Sequence, residues 1–333
     1  MSGPVEILQS HARVENPAVL RVQKRDVDHQ DYKHPDALVG KRVKSAGYRS
    51  AQLSDVSRLL KGNWLLYDEA LERVVLAYLR IPEDISPALP FLHRVRFDVG
   101  ARWDGTPSRA RVVGYTERNP VRQRDFCRMA ALATDDPEAH AAILHYAALA
   151  TPHYASLNPE MYAAHLAMSE RVLDEYRIEG SPFTSGILNK DNVLPFHYDA
   201  GNFREVWSLM LGWKRDIGPD DAGNAGELVI PEYDLALEIA DNTLTAFDGQ
   251  MALHGVTPFK KTSRYAYRYT LVAYSKVKMW ACLSLDEEIA RAKKQRTAKE
   301  EKRWREFPTG RARTAESPAP STMKDSGTVL AEK

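Results

Sequence analysis

Hydrophobic and polar positions change their period partway along the chain. Residues 1 to about 50 show little period and are rich in Lys, Arg, His and Asp, which predicts an N-terminal arm that wraps the core or stays mobile. From 51 to 80, "DVSRLLKGNWLLYDEALERVVLAYLR" spaces its apolar residues helically until Pro82, predicting a helix pair or one long helix. "HRVRFDVGARWDG" (93–105) alternates apolar and polar residues before Gly105 and Pro107, as a strand and turn do. Residues 123–150 and 159–177 predict helices, with Pro159 near a helix start.

After residue 180 the texture changes. Between 183 and 280 come "FTSGILN", "VWSLMLGW", "GELVIPEY", "LTAFDG" and "RYTLVAYS", short β-prone runs separated by Gly, Asn, Asp and Pro. Short strands following a helical half predict an α+β protein whose helices pack on an antiparallel barrel or jelly roll. "GNAGEL" (223–228) lacks the strand-to-helix context of a dinucleotide fingerprint and reads as a turn. The segment from 285 predicts a solvated helix with acid–base pairs four residues apart, then a disordered Pro/Ser/Thr-rich end. The expected division is an arm over 1–50, one folded domain over 51–283 with its β core at about 183–283, and a charged tail over 284–333.

Composition narrows the function classes. The 333 residues carry 46 Lys and Arg against 45 Asp and Glu, so the net charge of +1 steers the chain to no polyanion, and any such binding must be local. Two cysteines, Cys127 and Cys282, without C-x-x-C spacing argue against a disulfide scaffold or a structural zinc module and suggest a reducing compartment. The N-terminal residues do not resemble a signal peptide, and no apolar run of about 18 residues suggests a membrane span. The expected location is the cytosol, or wherever DNA is kept; oligomeric state is not readable.

The candidate chemistry begins with "PFHYDAGN". In a strand, residues two apart share a face, so His197 and Asp199 can present an imidazole nitrogen and a carboxylate to one ion. H-x-D alone is weak and equally describes a polar strand end. His254 in "AFDGQMALHGVTPF" supplies a second imidazole, and two His with one carboxylate form the facial triad of non-haem Fe(II) oxygenases. In "RYAYRYTLVAYS", Arg268 and Thr270 again share a face. A guanidinium fork with a hydroxyl suits a buried carboxylate, although Arg268 could instead pair with an internal acid such as Asp248.

His197, Asp199, His254 and Arg268 together resemble the Fe(II)/2-oxoglutarate dioxygenases, with their H-x-D, distal His and later Arg. Within them, "HGVTPFKKTSRYAYRYTLVAYS" and "HYDAGN" are similar to the TET/JBP group, which oxidises the 5-methyl group of cytosine or thymine in DNA. The resemblance covers roughly residues 183–280. It implies a double-stranded β-helix (cupin-like jelly roll) and Fe(II) held by His197, Asp199 and His254. It further implies 2-oxoglutarate held by Arg268 and Thr270, O2 as oxidant, and Asn202 hydrogen-bonding a pyrimidine flipped out of the DNA stack. The chain lacks the cysteines of the zinc-binding part of animal TET enzymes, so it resembles a minimal phage, bacterial or fungal form.

Three further readings concern partners. Lys260, Lys261 and Arg264 follow the distal His, and placed on a loop at the barrel mouth Lys260 and Arg264 would bind the DNA substrate, or merely aid solubility. Arg118, Arg122, Arg124 and Arg128 lie near Tyr115 and Phe126, as phosphate-tracking residues or as a solvated face. Asn202 after Gly201 is equally a turn residue. The rival functions are an Fe(II)/2-oxoglutarate hydroxylase of a small molecule or protein side chain, and a non-catalytic nucleic-acid-binding barrel.

Overall fold

A computed structural model of the chain describes residues 4–33, 47–101, 107–119 and 125–306. The β-prone runs after residue 183 all form strands: Ser185–Lys190, Ser208–Arg215, Leu228–Ile230, Thr243–Phe247 and Tyr267–Tyr274. They divide between two facing sheets. The smaller runs in the order Glu6–Gln9, Arg58–Lys61, Leu235–Leu237, Leu228–Ile230, His254–Val256, Leu194–His197. The larger is built around the neighbours Arg73–Arg80, Thr243–Phe247, Ser208–Arg215, Tyr267–Tyr274, Ser185–Lys190 and Pro107–Thr116, paired antiparallel. From Ser185 the chain passes repeatedly between the sheets, apart from the hairpin Leu228–Ile230/Leu235–Leu237 within the smaller one, which makes the core a double-stranded β-helix with helices on one side, the α+β class that the pattern predicts.

Alternation along the larger sheet separates two environments. Tyr269, Leu271 and Ala273 join Leu209, Leu211 and Trp213 in the core under the helix Pro137–Leu157, whose Ile143, Tyr146 and Ala150 pack there. The intervening Arg268, Thr270 and Val272 face the space between the sheets, as do Ser208 and Met210. The helices Pro137–Leu157 and Pro159–Ser169 stand where expected, each opening on a Pro after a capping side chain, Asp136 and Asn158.

Two expectations need correction, for residues 51–80 and for the cysteines, and the N-terminal segment takes the core-wrapping alternative. Residues 51–80 hold strands, Arg58–Lys61, Trp64–Asp68 and Arg73–Arg80, and no long helix. "RLLKGNWLLYD" fits either period, and the turn at Gly62, with φ +92° and no room for a Cβ beside the Ser10 carbonyl, decides for strands. The N-terminal segment supplies Glu6–Gln9 and Ala18–Val22 as parallel edge strands, one on each sheet. Cys127 and Cys282 are joined in a disulfide across a separation of 155 residues. Both are buried among Val172, Tyr176, Phe203 and Met279; the bridge depends on a tertiary meeting that spacing rules do not detect.

The predicted tail helix is Leu285–Glu306. Its buried Glu288 accepts hydrogen bonds from Arg118 and Arg291 and from the Cys127 amide. Arg118 is thereby engaged with the tail and Arg128 with Asp125, while Arg122, Arg124 and the C-terminal residues from 307 lie outside the described residues.

Candidate active site

His197 ends the strand Leu194–His197, and its partner across the small sheet is His254, the first residue of His254–Val256. Asp199 lies beyond the strand end, so the two-residue period does not by itself aim it. Its amide donates to the Gly249 carbonyl at 2.9 Å, which holds the chain leaving His197 against the loop approaching His254. A Cβ at Gly249 would lie 2.3 Å from Asp199 Oδ2, so any larger residue there would push the carboxylate from this position.

Both rings are oriented alike. His197 Nδ1 meets the Pro195 carbonyl and His254 Nδ1 the Ala252 carbonyl, each at 2.9 Å. A ring that donates through Nδ1 carries its lone pair on Nε2. The Nε2 atoms of His197 and His254 face Asp199 Oδ1 at 3.8 and 4.0 Å, and one donor atom from each of the three residues lies within 4.8 Å of the others. Bonds of about 2.1 Å meeting at right angles put donors about 3 Å apart, so each His–Asp pair need close by only about 1 Å on an ion. The donor set, two imidazoles and a carboxylate on one side, fits a divalent transition metal with open positions.

The triad opens into a cavity of about 350 Å³ between the sheets, lined also by Asn189, Asn192, Asn202, Ser208, Arg268 and Thr270. Arg268 is 2% exposed. One terminal nitrogen donates to the Gly226 carbonyl at 3.1 Å and the other reaches the Asn192 carbonyl at 3.5 Å, while Nε has no hydrogen-bond partner among the described residues. Burial pushes its pKa down to about 10, with Glu227 and Asp191 opposing the shift through space. Arg268 does not pair with Asp248, the alternative open at the sequence level. An incompletely satisfied buried cation facing a cavity suits the carboxylate of a small acid. Thr270 accepts from Asn189 Nδ2 at 3.4 Å, and Asn189 accepts in turn from Asn192 at 2.9 Å.

Several contributors escaped sequence reasoning. The "GNAGEL" turn boxes Arg268: Gly226, at φ +81°, brings its carbonyl to the guanidinium, and a Cβ would lie 3.1 Å from Nε. Asn189 shares its strand face with Ile187 and was legible by alternation once that face was known to be the cavity. Asn202 does line the cavity, donating to Asp199 Oδ2 at 3.4 Å and bridging to Lys276.

Lys260 and Arg264 do not line the cavity. Lys260 and Lys261 form a short strand paired with Ile217–Gly218, which carries them away from the triad. Arg264 lies in a separate groove of about 490 Å³ with Arg109, Lys190, Arg215, Lys261 and exposed Tyr265, near the Arg268 end of its strand. Lys190 lies over the Phe97 and Tyr269 rings and Arg264 over Tyr265.

A family model, Tet_JBP, described as the oxygenase domain of the 2OGFeDO superfamily, matches residues 111–277, half of the chain, with His197, Asp199, His254 and Arg268 inside the match. The chain belongs to the Tet_JBP family. It is therefore an oxygenase of the superfamily that uses Fe(II) and 2-oxoglutarate. Among solved structures, NgTET1 in complex with 5mC DNA is similar over 67% of this Tet_JBP chain and 80% of its own, at 13% identity and TM-score 0.48. An oxidoreductase of the 2OG-Fe(II) oxygenase family from Burkholderia pseudomallei is similar over 78% and 96%, at 12% identity and TM-score 0.40. Among curated proteins, no sequence matches this Tet_JBP chain. No helix among its described residues is long and apolar enough to cross a membrane.

Proposed function

We propose that this Tet_JBP oxygenase hydroxylates the 5-methyl group of a pyrimidine in DNA, with 5-methylcytosine or thymine as the parent base. His197, Asp199 and His254 would hold Fe(II), and Arg268 with Thr270 the far carboxylate of 2-oxoglutarate. The observation that carries the assignment is the meeting, in one cavity, of a two-His-one-carboxylate cluster and a buried guanidinium with an unpartnered nitrogen. Bound Fe(II), 2-oxoglutarate and O2 together supply the oxidation of a C–H bond, with succinate and CO2 as coproducts.

The chain's own residues supply orientation. The carbonyls of Pro195 and Ala252 fix both imidazole tautomers, and the apolar walls at Leu194, Met210 and Val256 keep bulk water from the reacting carbon. The Asn202 side chain, at the cavity edge beside Asp199, is the candidate contact for the polar edge of a flipped base. Family membership, and a groove in which five cations outnumber Asp191, the acid that pairs with Lys261 and Arg109, favour DNA over a small substrate. Arg264 with its groove, and Lys260 next to it, would contact phosphates.

The test is mass spectrometry of nucleosides after incubation with 5-methylcytosine DNA, 2-oxoglutarate, Fe(II) and ascorbate. Hydroxymethylated base that disappears with His197→Ala supports the proposal. Succinate release that ignores DNA, with no oxidised base of any kind, overturns it.

A further inference from the structure

We infer that Glu232 is a positioning residue that sets the spacing of the metal-binding triad from behind, an inference that rests on the triad being a metal site. Glu232 lies in the single turn Pro231–Tyr233 between two strands of the small sheet and is 4% exposed. Its Oε1 accepts from the Tyr198 hydroxyl at 2.8 Å and its Oε2 from the Leu253 amide at 2.8 Å. Tyr198 stands between His197 and Asp199, and Leu253 immediately precedes His254. One buried carboxylate thus holds both ligand-bearing segments, which lie 55 residues apart in sequence, and none of Glu232, Tyr198 and Leu253 lines the cavity.

The N-terminal segment completes the arrangement. Lys24 Nζ lies 3.4 Å from Glu232 Oε2 and donates to the Met251 carbonyl, and the Arg25 amide donates to the Glu232 carbonyl at 2.7 Å. His29 stacks on Tyr198 with ring centroids 5.9 Å apart. A carboxylate withdrawn from water is costly unless its oxygens are satisfied. Here it is satisfied by a hydroxyl, an amide and an ammonium, and two of these three partners belong to the segments that carry the ligands. The two ladder partners Leu194↔Val256 and His197↔His254 are separated by a register irregularity, so sheet pairing alone leaves the spacing of the rings loosely determined. The Glu232 bonds supply the missing constraint.

The experiment is Co(II) titration of the full-length chain, followed by its visible absorption and by competition with a chelator of known affinity, for wild type, Glu232→Gln, Tyr198→Phe and His197→Ala. Glu232→Gln retains the shape but cannot accept from both Tyr198 and Leu253 while keeping the ion pair with Lys24; Tyr198→Phe deletes one hydroxyl and spares the fold. The expected result is a Co(II) dissociation constant about 10- to 100-fold weaker for Glu232→Gln, a smaller rise for Tyr198→Phe, and an altered ligand-field spectrum in both. Dissociation constants and spectra within twofold of wild type for both variants overturn the inference even if thermal stability falls, because a purely structural carboxylate would change stability alone. Failure of the functional proposal looks different. Absence of oxidised base with Co(II) affinity still governed by Glu232 removes the DNA substrate and keeps the positioning role, whereas Co(II) binding indifferent to His197→Ala removes both.

Discussion

Replacing Arg268 with Met separates what the guanidinium does for binding from what it costs the fold. Burial pushes its pKa down from the ordinary guanidinium range to about 10, and at about 1.36 kcal/mol per pH unit the charged form is disfavoured in the folded chain by about 3 kcal/mol. The folded value lies below the unfolded one, so this cost is fully present below pH 10 and fades as pH rises from 10 toward the ordinary guanidinium value. Met fills similar length without charge but gives up the donation to the Gly226 carbonyl, a loss of about 1–3 kcal/mol. The net expectation without ligand is a variant as stable as wild type or up to about 2 kcal/mol more stable, a rise of at most about 8 °C. Affinity for 2-oxoglutarate should meanwhile fall by about 10²–10⁴, since a buried charge pair loses one partner at about 3–5 kcal/mol. Thermal unfolding followed by circular dichroism, with and without 2-oxoglutarate, and calorimetric titration of 2-oxoglutarate in the presence of Mn(II), read both quantities. A melting temperature more than about 6 °C below wild type without ligand would show that Arg268 is a net structural support. Binding within threefold of wild type would place the co-substrate anchor elsewhere.

Three other outcomes follow from particular contacts. Gly249→Ala puts a methyl group on Asp199 Oδ2 and should abolish Mn(II) binding while leaving the far-UV circular dichroism spectrum intact; retained binding would show that the loop yields. Burial pushes the His165 pKa down to about 3, so the folded chain keeps it neutral while the unfolded chain protonates below about 6.5. Stability should be lost as pH falls through that window, by about 2 kcal/mol at pH 5, and urea titrations of His165→Gln at pH 7 and pH 5 should differ by that much less than wild type does. Reducing the Cys127–Cys282 bridge releases a loop closed across 155 residues and should cost about 2–5 kcal/mol, lowering the melting temperature by on the order of 10 °C; an unchanged melting temperature after full reduction would refute this.

The chemistry-bearing residues were legible because each belongs to a residue type whose function needs partners in a fixed order. His197, Asp199, His254 and Arg268 narrow one another even before a fold is known, and the cavity brings all four to its wall. The strands after residue 183 were legible from their β-branched and aromatic runs between turn residues. Residues 58–80 were not, because Leu-rich stretches satisfy both periods and only the Gly62 turn and pairing with Thr243–Phe247 decide between them. The disulfide, the Gly226 carbonyl on Arg268 and the Glu232 contacts all join segments far apart in sequence, which local patterns do not encode. Lys260 and Arg264 were placed beside the triad by sequence proximity to His254, and the intervening turn instead puts them outside the cavity lining, Lys260 in a short strand and Arg264 in a neighbouring groove.

The alternation along Tyr267–Tyr274 also bears on how such an enzyme can change over time. Residues that hold the helices to the barrel and residues that line the cavity occupy interleaved positions of one strand. Point replacements at Thr270 or Val272 can therefore retune selectivity with little disturbance to Tyr269 and Leu271. Inserting or deleting a single residue within the strand would exchange the two populations, turning Arg268 into the helix layer and a leucine into the cavity. Drift by substitution is open to this strand, and drift by length is closed.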